Sequence, residues 1–220
     1  MKIVFLDRDG VINEFPGNGN YVTKVKDFHF LPRSREAVKK LTDAGFKVFI
    51  ISNQAGVGKG IFSQDKLTRI TRKMLDGIRA TGGRIEKVYY ATSRTSDECD
   101  YRKPGIGFFR EALHSLNKSI RWASKTYFVG DTESDMIAGH HAGCKTIFVL
   151  SGRENRRYMR KWTVRPDCIA KDLYEAVKII QRREKSFLKK PHRNGAKIAP
   201  KKAKSQVHLK GGKSGMVTTL

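Results

Sequence analysis

The 220-residue chain carries 45 Lys and Arg against 21 Asp and Glu, a formal net charge of +24, and 39% of its residues are hydrophobic. This length suffices for one domain with a buried core plus an additional segment. No run approaches the roughly 18 apolar residues of a transmembrane helix, and the apolar N-terminus is typical of a first strand rather than of a signal peptide. We therefore expect a cytoplasmic protein without a membrane span.

Short apolar runs alternate with longer amphipathic segments along the chain. The runs are nearly continuous in apolar residues, as parallel strands buried on both faces should be. Ser34 and Ser63 are expected N-caps, and Gly45 is expected to follow a helix C-terminus. This alternation predicts an α/β fold with a doubly wound parallel sheet. We predict strands at 3–6, 46–51, 87–90, 126–129 and 146–150, and helices at 34–44, 63–80, 107–116, 134–141 and 172–188.

The first predicted strand delivers two carboxylates into a glycine turn. Asp7 and Asp9 follow the strand directly, and alternate residues of an extended chain point to the same side. Gly10 permits a sharp turn next to them. The pair is typical of a phosphoryl-transfer site, although the same motif alone also fits an ordinary Asp-rich turn.

Polar residues also follow three other predicted strands. In parallel α/β sheets the ligand crevice lies beyond the carboxyl ends of the strands, so these residues are expected to line one pocket. Each motif taken alone also fits a turn or a helix start. All of them would meet at the same edge of the sheet, however, and this shared position favours a common site. The residues are Ser52, Asn53 and Gln54, then Arg102 and Lys103, and finally Asp131 and Asp135.

These motifs resemble those of haloacid dehalogenase (HAD)-like phosphohydrolases. The resemblance is strongest to the group of histidinol-phosphate phosphatases and D-glycero-D-manno-heptose 1,7-bisphosphate phosphatases, and it covers roughly residues 1–150. It implies an HAD-like sheet domain over residues 1–188 with a minimal cap and an open site. The motifs are Asp-Arg-Asp-Gly-Val-Ile-Asn at 7–13, Ser-Asn-Gln-Ala-Gly-Val-Gly-Lys-Gly at 52–60, Arg-Lys-Pro at 102–104 and Gly-Asp-x-x-x-Asp at 130–135.

The resemblance implies a role for each catalytic residue. Asp7 is expected to be the nucleophile that forms an aspartyl-phosphate, and Asp9 the general acid and base. A magnesium ion is implied, held by the carboxylates of Asp7 and Asp131 and by the backbone carbonyl of Asp9. Asp135 is expected to support the site rather than bind the metal, or else to act as a first-turn acid of its helix.

The resemblance also implies which residues bind the substrate. The Ser52 hydroxyl and its neighbours Asn53 and Gln54 are expected to hold the reacting phosphate. Lys103 is expected to offset charge on the phosphoryl group and on Asp7, and Arg102 to reach a more distal anion. The segment 15–21 is expected to lie over the pocket mouth, where it would influence substrate choice.

Two departures from the family pattern concern metals and substrate. The family's zinc-binding positions fall here on Ala91, Ser93, Cys99 and Tyr101, so only one ligand remains and no structural zinc is expected in the loop 91–101. Thr132 stands where heptose phosphatases tend to have lysine, which weakens the assignment of a particular sugar.

The basic residues concentrate at the C-terminus. Residues 151–220 hold 20 Lys and Arg against 5 Asp and Glu, and no acidic residue follows Lys185. The segment 189–220 is expected to be a disordered tail that attracts nucleic acid or another polyanion without sequence preference, or one with no dedicated partner.

Three functions remain open from the sequence. The preferred one is a magnesium-dependent phosphatase of a small metabolite, with a heptose bisphosphate or a related sugar phosphate as the expected substrate. The second is a nucleic-acid 3′-end phosphatase that uses the basic C-terminus to bind its substrate. The third is a non-catalytic nucleic-acid-binding protein on a phosphatase scaffold, which the intact Asp7, Asp9, Lys103 and Asp131 argue against.

Overall fold

A six-stranded parallel sheet forms the centre of the computed structural model, which describes residues 1–93 and 99–188. The strands are β1 (Lys2–Leu6), β2 (Phe46–Asn53), β3 (Lys87–Ala91), β4 (Tyr127–Gly130), β5 (Lys145–Val149) and β6 (Cys168–Ala170). They lie in the order β3-β2-β1-β4-β5-β6, and all neighbouring pairs are parallel. The predicted α/β fold is therefore confirmed. The predicted tail at 189–220 lies outside the described residues.

Helices cover both faces of the sheet. Ser63 caps α3 as predicted, because its side chain accepts a hydrogen bond from the backbone N–H of Lys66. Within the described ranges, no helix combines the length and apolar character that a membrane span requires. The α-helices are α1 (Ser34–Asp43), α2 (Ala55–Gly58), α3 (Gln64–Arg79), α4 (Gly107–His114), α5 (Glu133–Ala142) and α6 (Leu173–Leu188).

The start of α1 differs from the sequence prediction. Arg33, rather than Ser34, is the N-cap, since its carbonyl accepts a hydrogen bond from Ala37 and its backbone is left-handed with φ of 61°. Ser34 is instead the first helical residue and is buried. The helix ends as predicted, because Gly45 follows the C-cap with φ of +77°.

The apolar strands serve two hydrophobic layers at once. Val4 and Leu6 of β1 pack into the layer under α1, α3 and α6, whereas Ile3 and Phe5 pack into the layer under α4 and α5. Successive side chains of a strand point to opposite faces, so a strand buried on both sides needs apolar residues at nearly every position. This double burial explains why the strands were recognisable in the sequence.

The strand order places the end of β1 at the middle of the sheet. Leu6 pairs with Ile50 of β2 on one side and with Val129 of β4 on the other. β2 and β3 lie on one side of β1, and β4, β5 and β6 lie on the other. Where the strand order reverses in this way, a crevice forms beyond the carboxyl ends of the strands. Asp7, the next residue, stands at that point and donates its backbone N–H to the carbonyl of Val129 at 2.9 Å.

We predict that Phe109→Ala lowers the free energy of unfolding by about 3–5 kcal/mol, because a fully buried aromatic side chain leaves a cavity. The Phe109 ring meets the rings of Phe5 and Phe128 edge-on, with centroid distances of 5.0 and 5.1 Å. Urea denaturation measures the change. Tyr158→Ala is the matched control, since Tyr158 is 51% exposed and its loss should cost about 0.5 kcal/mol or less. Equal losses in both variants would contradict this packing.

Candidate active site

A cavity of about 690 Å³ opens at the carboxyl ends of β1, β2 and β4. It brings together residues from all four motifs identified in the sequence, and Gln54 is the one predicted substrate-binding residue that does not line it. Asp135 also lines the cavity. The predicted site residues in the lining are Asp7, Asp9, Ser52, Asn53, Arg102, Lys103 and Asp131.

Lys103 is a buried cation between two carboxylates. Its side chain is 3% exposed, and Nζ donates to Oδ1 of Asp7 at 2.8 Å and to the carbonyl of Ile51 at 2.9 Å. Nζ also pairs with Oδ1 of Asp135 at 2.7 Å, so all three ammonium donors are used. Burial opposes the charge of Lys103, but Asp135 and Asp7 outweigh it and raise the lysine pKa. Lys103 therefore keeps its positive charge beside Asp7.

Asp135 joins the lysine to the start of α5. Its Oδ2 accepts hydrogen bonds from the backbone N–H groups of Asp131 and Thr132, at 3.2 and 3.1 Å, and from the Thr132 hydroxyl at 2.7 Å. The Thr132 side chain accepts the backbone N–H of Asp135 in return, which completes a capping box. Both roles that the sequence left open thus apply, because Asp135 caps its helix and holds Lys103.

Asp7 and Asp131 are arranged as oxygen ligands for a cation. Carboxylate oxygens of Asp7, Asp131 and Asp135 all lie within 4.8 Å of one another. Burial raises the pKa of Asp7 to about 6 although Lys103 opposes the shift, and burial with the charges of Asp135 and Asp7 raises the pKa of Asp131 well above its ordinary value.

Two oxygens of this cluster remain available. Oδ2 of Asp7 and Oδ1 of Asp131 accept no hydrogen bond from the residues that the structure describes, whereas both oxygens of Asp135 are engaged. A divalent cation with a preference for hard oxygen ligands fits this donor set and would offset the repulsion between the buried carboxylates.

Asp9 is held by a set of hydrogen-bond donors. Its Oδ1 accepts from Asn13 Nδ2 at 2.8 Å, its Oδ2 from Gln54 Nε2 at 2.8 Å, and both oxygens accept from Arg8 Nη2 at 2.9 Å. Arg8 is fully buried and also donates to Oε1 of Gln54 at 3.1 Å. Sequence reasoning did not single out Arg8 or Asn13, although both belong to the 7–13 motif. Gln54, predicted to bind phosphate, directly contacts Asp9 instead.

Ser52 and Asn53 lie at the end of β2 and differ in their availability. The Ser52 hydroxyl accepts Gln54 Nε2 at 3.3 Å, so its own proton is left to donate into the cavity. The side-chain amide of Asn53 exchanges two 3.1 Å hydrogen bonds with the backbone of Lys103. Asn53 therefore fixes the backbone that carries the buried lysine.

A fifth strand end, residues 151–154 after β5, also reaches the site. The Ser151 hydroxyl donates to the carbonyl of Gly10 at 2.7 Å, and the backbone N–H of Arg153 donates to Oδ2 of Asp131 at 2.6 Å. Sequence reasoning missed this segment. The rule that ligands gather at the carboxyl ends of parallel strands could have found it, since it directly follows a predicted strand.

Two glycines enclose the Asp131 carboxylate. A Cβ atom at Gly10 or at Gly152 would overlap Oδ2 of Asp131, and Gly10 also has a φ of +81°. Only glycine lets both backbone segments approach the carboxylate so closely. The position of Asp131 is thus fixed by the absence of side chains on both sides.

The segment 15–21 lies at the cavity mouth, as predicted. Arg153 connects to it through Nε, which donates to Oδ1 of Asn18 at 3.1 Å. Residues 94–98 of the loop 91–101, for which no zinc was expected, lie outside the described residues, and Cys99 lines the cavity. The lining residues of the mouth segment are Phe15, Pro16, Gly17, Gly19, Asn20 and Tyr21.

This chain is similar in sequence to known phosphatases. The HAD-hydrolase-like family model matches residues 100–176. The D-glycero-beta-D-manno-heptose-1,7-bisphosphate 7-phosphatase of Neisseria meningitidis serogroup A is 35% identical over 153 residues, which cover 70% of this chain and 79% of that protein. The D-glycero-D-manno-heptose-1,7-bisphosphate 7-phosphatase of Chlorobaculum tepidum is 30% identical over 185 residues, covering 80% of this chain and 92% of the relative.

The fold is also similar to that of a solved phosphatase structure. The D,D-heptose 1,7-bisphosphate phosphatase from B. bronchiseptica, complexed with magnesium and phosphate, superposes with a TM-score of 0.76 at 27% identity. The match covers 83% of this chain and 99% of that chain.

The parallel sheet and the aspartate-lysine cluster at its carboxyl edge define a phosphatase of the HAD type. The chain belongs to the HAD-like hydrolase family that includes these heptose bisphosphate phosphatases. The resemblance seen in the sequence motifs is thereby confirmed. Phosphatases of this family generally depend on magnesium, which agrees with the carboxylate oxygens available here.

We predict that Gly152→Ala lowers kcat/KM for p-nitrophenyl phosphate by about 100-fold or more, because the new methyl group displaces the Asp131 carboxylate. Phosphate release with Mg²⁺ measures the effect, and circular dichroism checks the fold. Gly45→Ala is the control: Gly45 also has a positive φ but open space around it, so this variant should lose about 1 kcal/mol of stability and no activity. A folded Gly152→Ala protein with native activity would contradict the close packing around Asp131.

Proposed function

We propose that the chain is a magnesium-dependent phosphomonoesterase that removes the 7-phosphate of a D-glycero-D-manno-heptose 1,7-bisphosphate through an aspartyl-phosphate. The observation that carries the chemistry is the arrangement of Asp7, whose Oδ1 accepts a hydrogen bond from Lys103 while its Oδ2 accepts none from the described residues. The names of the sequence relatives support the sugar substrate. The cavity volume of about 690 Å³ suits a phosphosugar.

In the first step, a carboxylate oxygen of Asp7 attacks the phosphorus atom, and the bond between phosphorus and the sugar oxygen breaks. Lys103 offsets negative charge on Asp7 and on the phosphoryl group. Asp9, as the general acid, transfers a proton to the departing sugar oxygen. The products of this step are the dephosphorylated C7 hydroxyl and a phosphorylated Asp7.

In the second step, Asp9 accepts a proton from a water molecule that attacks the phosphorus. The bond between phosphorus and Asp7 breaks, which releases inorganic phosphate and restores the carboxylate. Arg8, Asn13 and Gln54 orient Asp9 between these steps through the hydrogen bonds described above. Proton transfer in both directions by one carboxyl group is the behaviour expected of a general acid and base.

Asp7 and Asp131 would hold the magnesium ion, with the backbone carbonyl of Asp9 as the third protein ligand. When bound, the ion supplies positive charge that neutralises the phosphoryl oxygens and lowers the repulsion toward the nucleophile. The Ser52 hydroxyl donates to a phosphoryl oxygen, and Asn53 keeps Lys103 in place. Arg102, in the cavity lining, reaches an anion farther from the reacting phosphate.

The basic tail enters this proposal only as an accessory segment. It lies outside the described residues, and the sequence relatives carry names of sugar phosphatases rather than of nucleic-acid enzymes. The alternatives of a 3′-end phosphatase and of a non-catalytic nucleic-acid-binding protein therefore receive no support from the relatives. A salt-dependent attraction of the tail to polyanions is compatible with the sugar substrate.

We predict that Asp7→Asn abolishes phosphate release, lowering kcat by at least about 10⁴-fold, because the amide is not a nucleophile. Asp9→Asn is expected to transfer the phosphoryl group to Asp7 faster from p-nitrophenyl phosphate than from an alkyl phosphate, since nitrophenolate leaves without a proton. Malachite-green phosphate assays measure the loss in Asp7→Asn, and single-turnover release of nitrophenol or of the alcohol measures the first step in Asp9→Asn. Equal losses on the two substrates in Asp9→Asn would contradict the proposed role of Asp9 as the acid.

A substrate panel tests the proposed sugar. With Mg²⁺, we expect the highest kcat/KM on a heptose 1,7-bisphosphate and lower values on hexose bisphosphates, histidinol phosphate and a 3′-phosphorylated oligonucleotide. EDTA should abolish the activity, and excess Mg²⁺ should restore it. A chain ending at Leu188 should match the full chain at low and high salt. A preference for the oligonucleotide that is lost on truncation would overturn the sugar assignment.

A further inference from the structure

Arg153 stands on backbone that is fixed to the active site. Its N–H donates to Oδ2 of Asp131 at 2.6 Å, and the next N–H, of Glu154, donates to the Asp131 carbonyl at 3.3 Å. The Glu154 carboxylate in turn accepts the backbone N–H of Glu133 at the start of α5. Three hydrogen bonds therefore set the position from which the Arg153 side chain departs.

The Arg153 side chain projects to the cavity mouth and remains largely available. It is exposed, lines the cavity and donates Nε to the neutral amide oxygen of Asn18. Within residues 1–93 and 99–188 it forms no ion pair, and its two terminal nitrogens donate to no protein group. Its neighbour Glu154 is engaged with α5 instead. An oriented guanidinium with free donors is suited to bidentate recognition of a phosphate.

The backbone of Arg153 has a structural role, and its side chain is available for a separate binding role. The hydrogen bond that fixes Asp131 comes from the backbone of Arg153, and any residue except proline could donate it. The arginine side chain is not needed for that contact. Of the other lining cations, Lys103 is already committed to Asp7 and Asp135, and Arg102 would share the distal phosphate with Arg153. Arg153 can bind a second phosphate without giving up a carboxylate partner.

We propose that Arg153, oriented by Asn18, binds the phosphate of the substrate that is not hydrolysed and so selects a bisphosphate over a monophosphate. This inference rests on the proposed function, because it assumes that the reacting phosphate lies at Asp7. The Asn18 contact ties the cation to the mouth segment, so the guanidinium is held in place before the substrate arrives. Such preorganisation reduces the entropy lost on binding.

The test compares sugar bisphosphates with the matching monophosphates that keep the reacting phosphate. The pairs are heptose 1,7-bisphosphate with heptose 7-phosphate, and fructose 1,6-bisphosphate with fructose 6-phosphate. We expect Arg153→Ala to lower kcat/KM for the preferred bisphosphate by about ten- to a hundredfold, through KM, and to change the monophosphate by less than about twofold. Arg153→Lys should recover part of the loss, since it restores charge but not the planar fork.

Asn18→Ala and Arg156→Ala complete the design. Asn18→Ala should weaken bisphosphate binding less than Arg153→Ala and should add nothing in the double variant, because Asn18 acts through Arg153. Arg156→Ala removes the same charge from an exposed position outside the cavity lining and should leave both substrate classes unchanged.

The outcomes distinguish this inference from the proposed function. Equal losses on bisphosphate and monophosphate in Arg153→Ala would overturn the inference, as would a native enzyme with no bisphosphate preference in either pair. A native enzyme that prefers the hexose pair would overturn the heptose assignment. The effect of Arg153→Ala on fructose 1,6-bisphosphate relative to fructose 6-phosphate would then still show whether Arg153 recognises the second phosphate.

Discussion

The buried charge pair between Lys103 and Asp7 is the interaction on which the rest of the site depends. Burying carboxylates close together is unfavourable unless a cation compensates them. Lys103 supplies that cation and uses its three donors on Asp7, Asp135 and the carbonyl of Ile51. Its charge keeps one oxygen of Asp7 in place, while the other accepts no hydrogen bond from the residues that the structure describes. The same lysine connects the end of β1, the end of β2 and the start of α5. Its contacts therefore stabilise the fold and also position the site residues.

Hydrogen bonds around this charge pair fix the positions of the neighbouring site residues. Asn53 holds the lysine backbone, and Asp135 ties the lysine to the capping box of α5. The segment 151–154 then fixes Asp131 from the other side, between two glycines that permit the close approach. The functional side chains are thus placed by backbone contacts at strand ends and helix starts.

Much of this arrangement could be predicted from the sequence, for a physical reason. Central parallel strands must be apolar at nearly every position, so five of the six strands were visible, and the strand-end rule brought their polar residues together. β6 was missed because a three-residue edge strand carries little pattern. Gln54 contacts Asp9, a partner that depends on side-chain packing across β1 and β2. The segment 151–154 acts mainly through backbone atoms, which no side-chain motif reveals.

The most direct test of the central claim is detection of the phosphorylated aspartate. In Asp9→Asn, p-nitrophenyl phosphate should still phosphorylate the protein, while hydrolysis lacks its base. Intact-protein mass spectrometry after acid quenching should show the added mass of one phosphoryl group, located by peptide analysis at Asp7. The Asp7→Asn, Asp9→Asn double variant should show none. Nitrophenol release without protein-bound phosphate, or phosphate on another residue, would contradict Asp7 as the nucleophile.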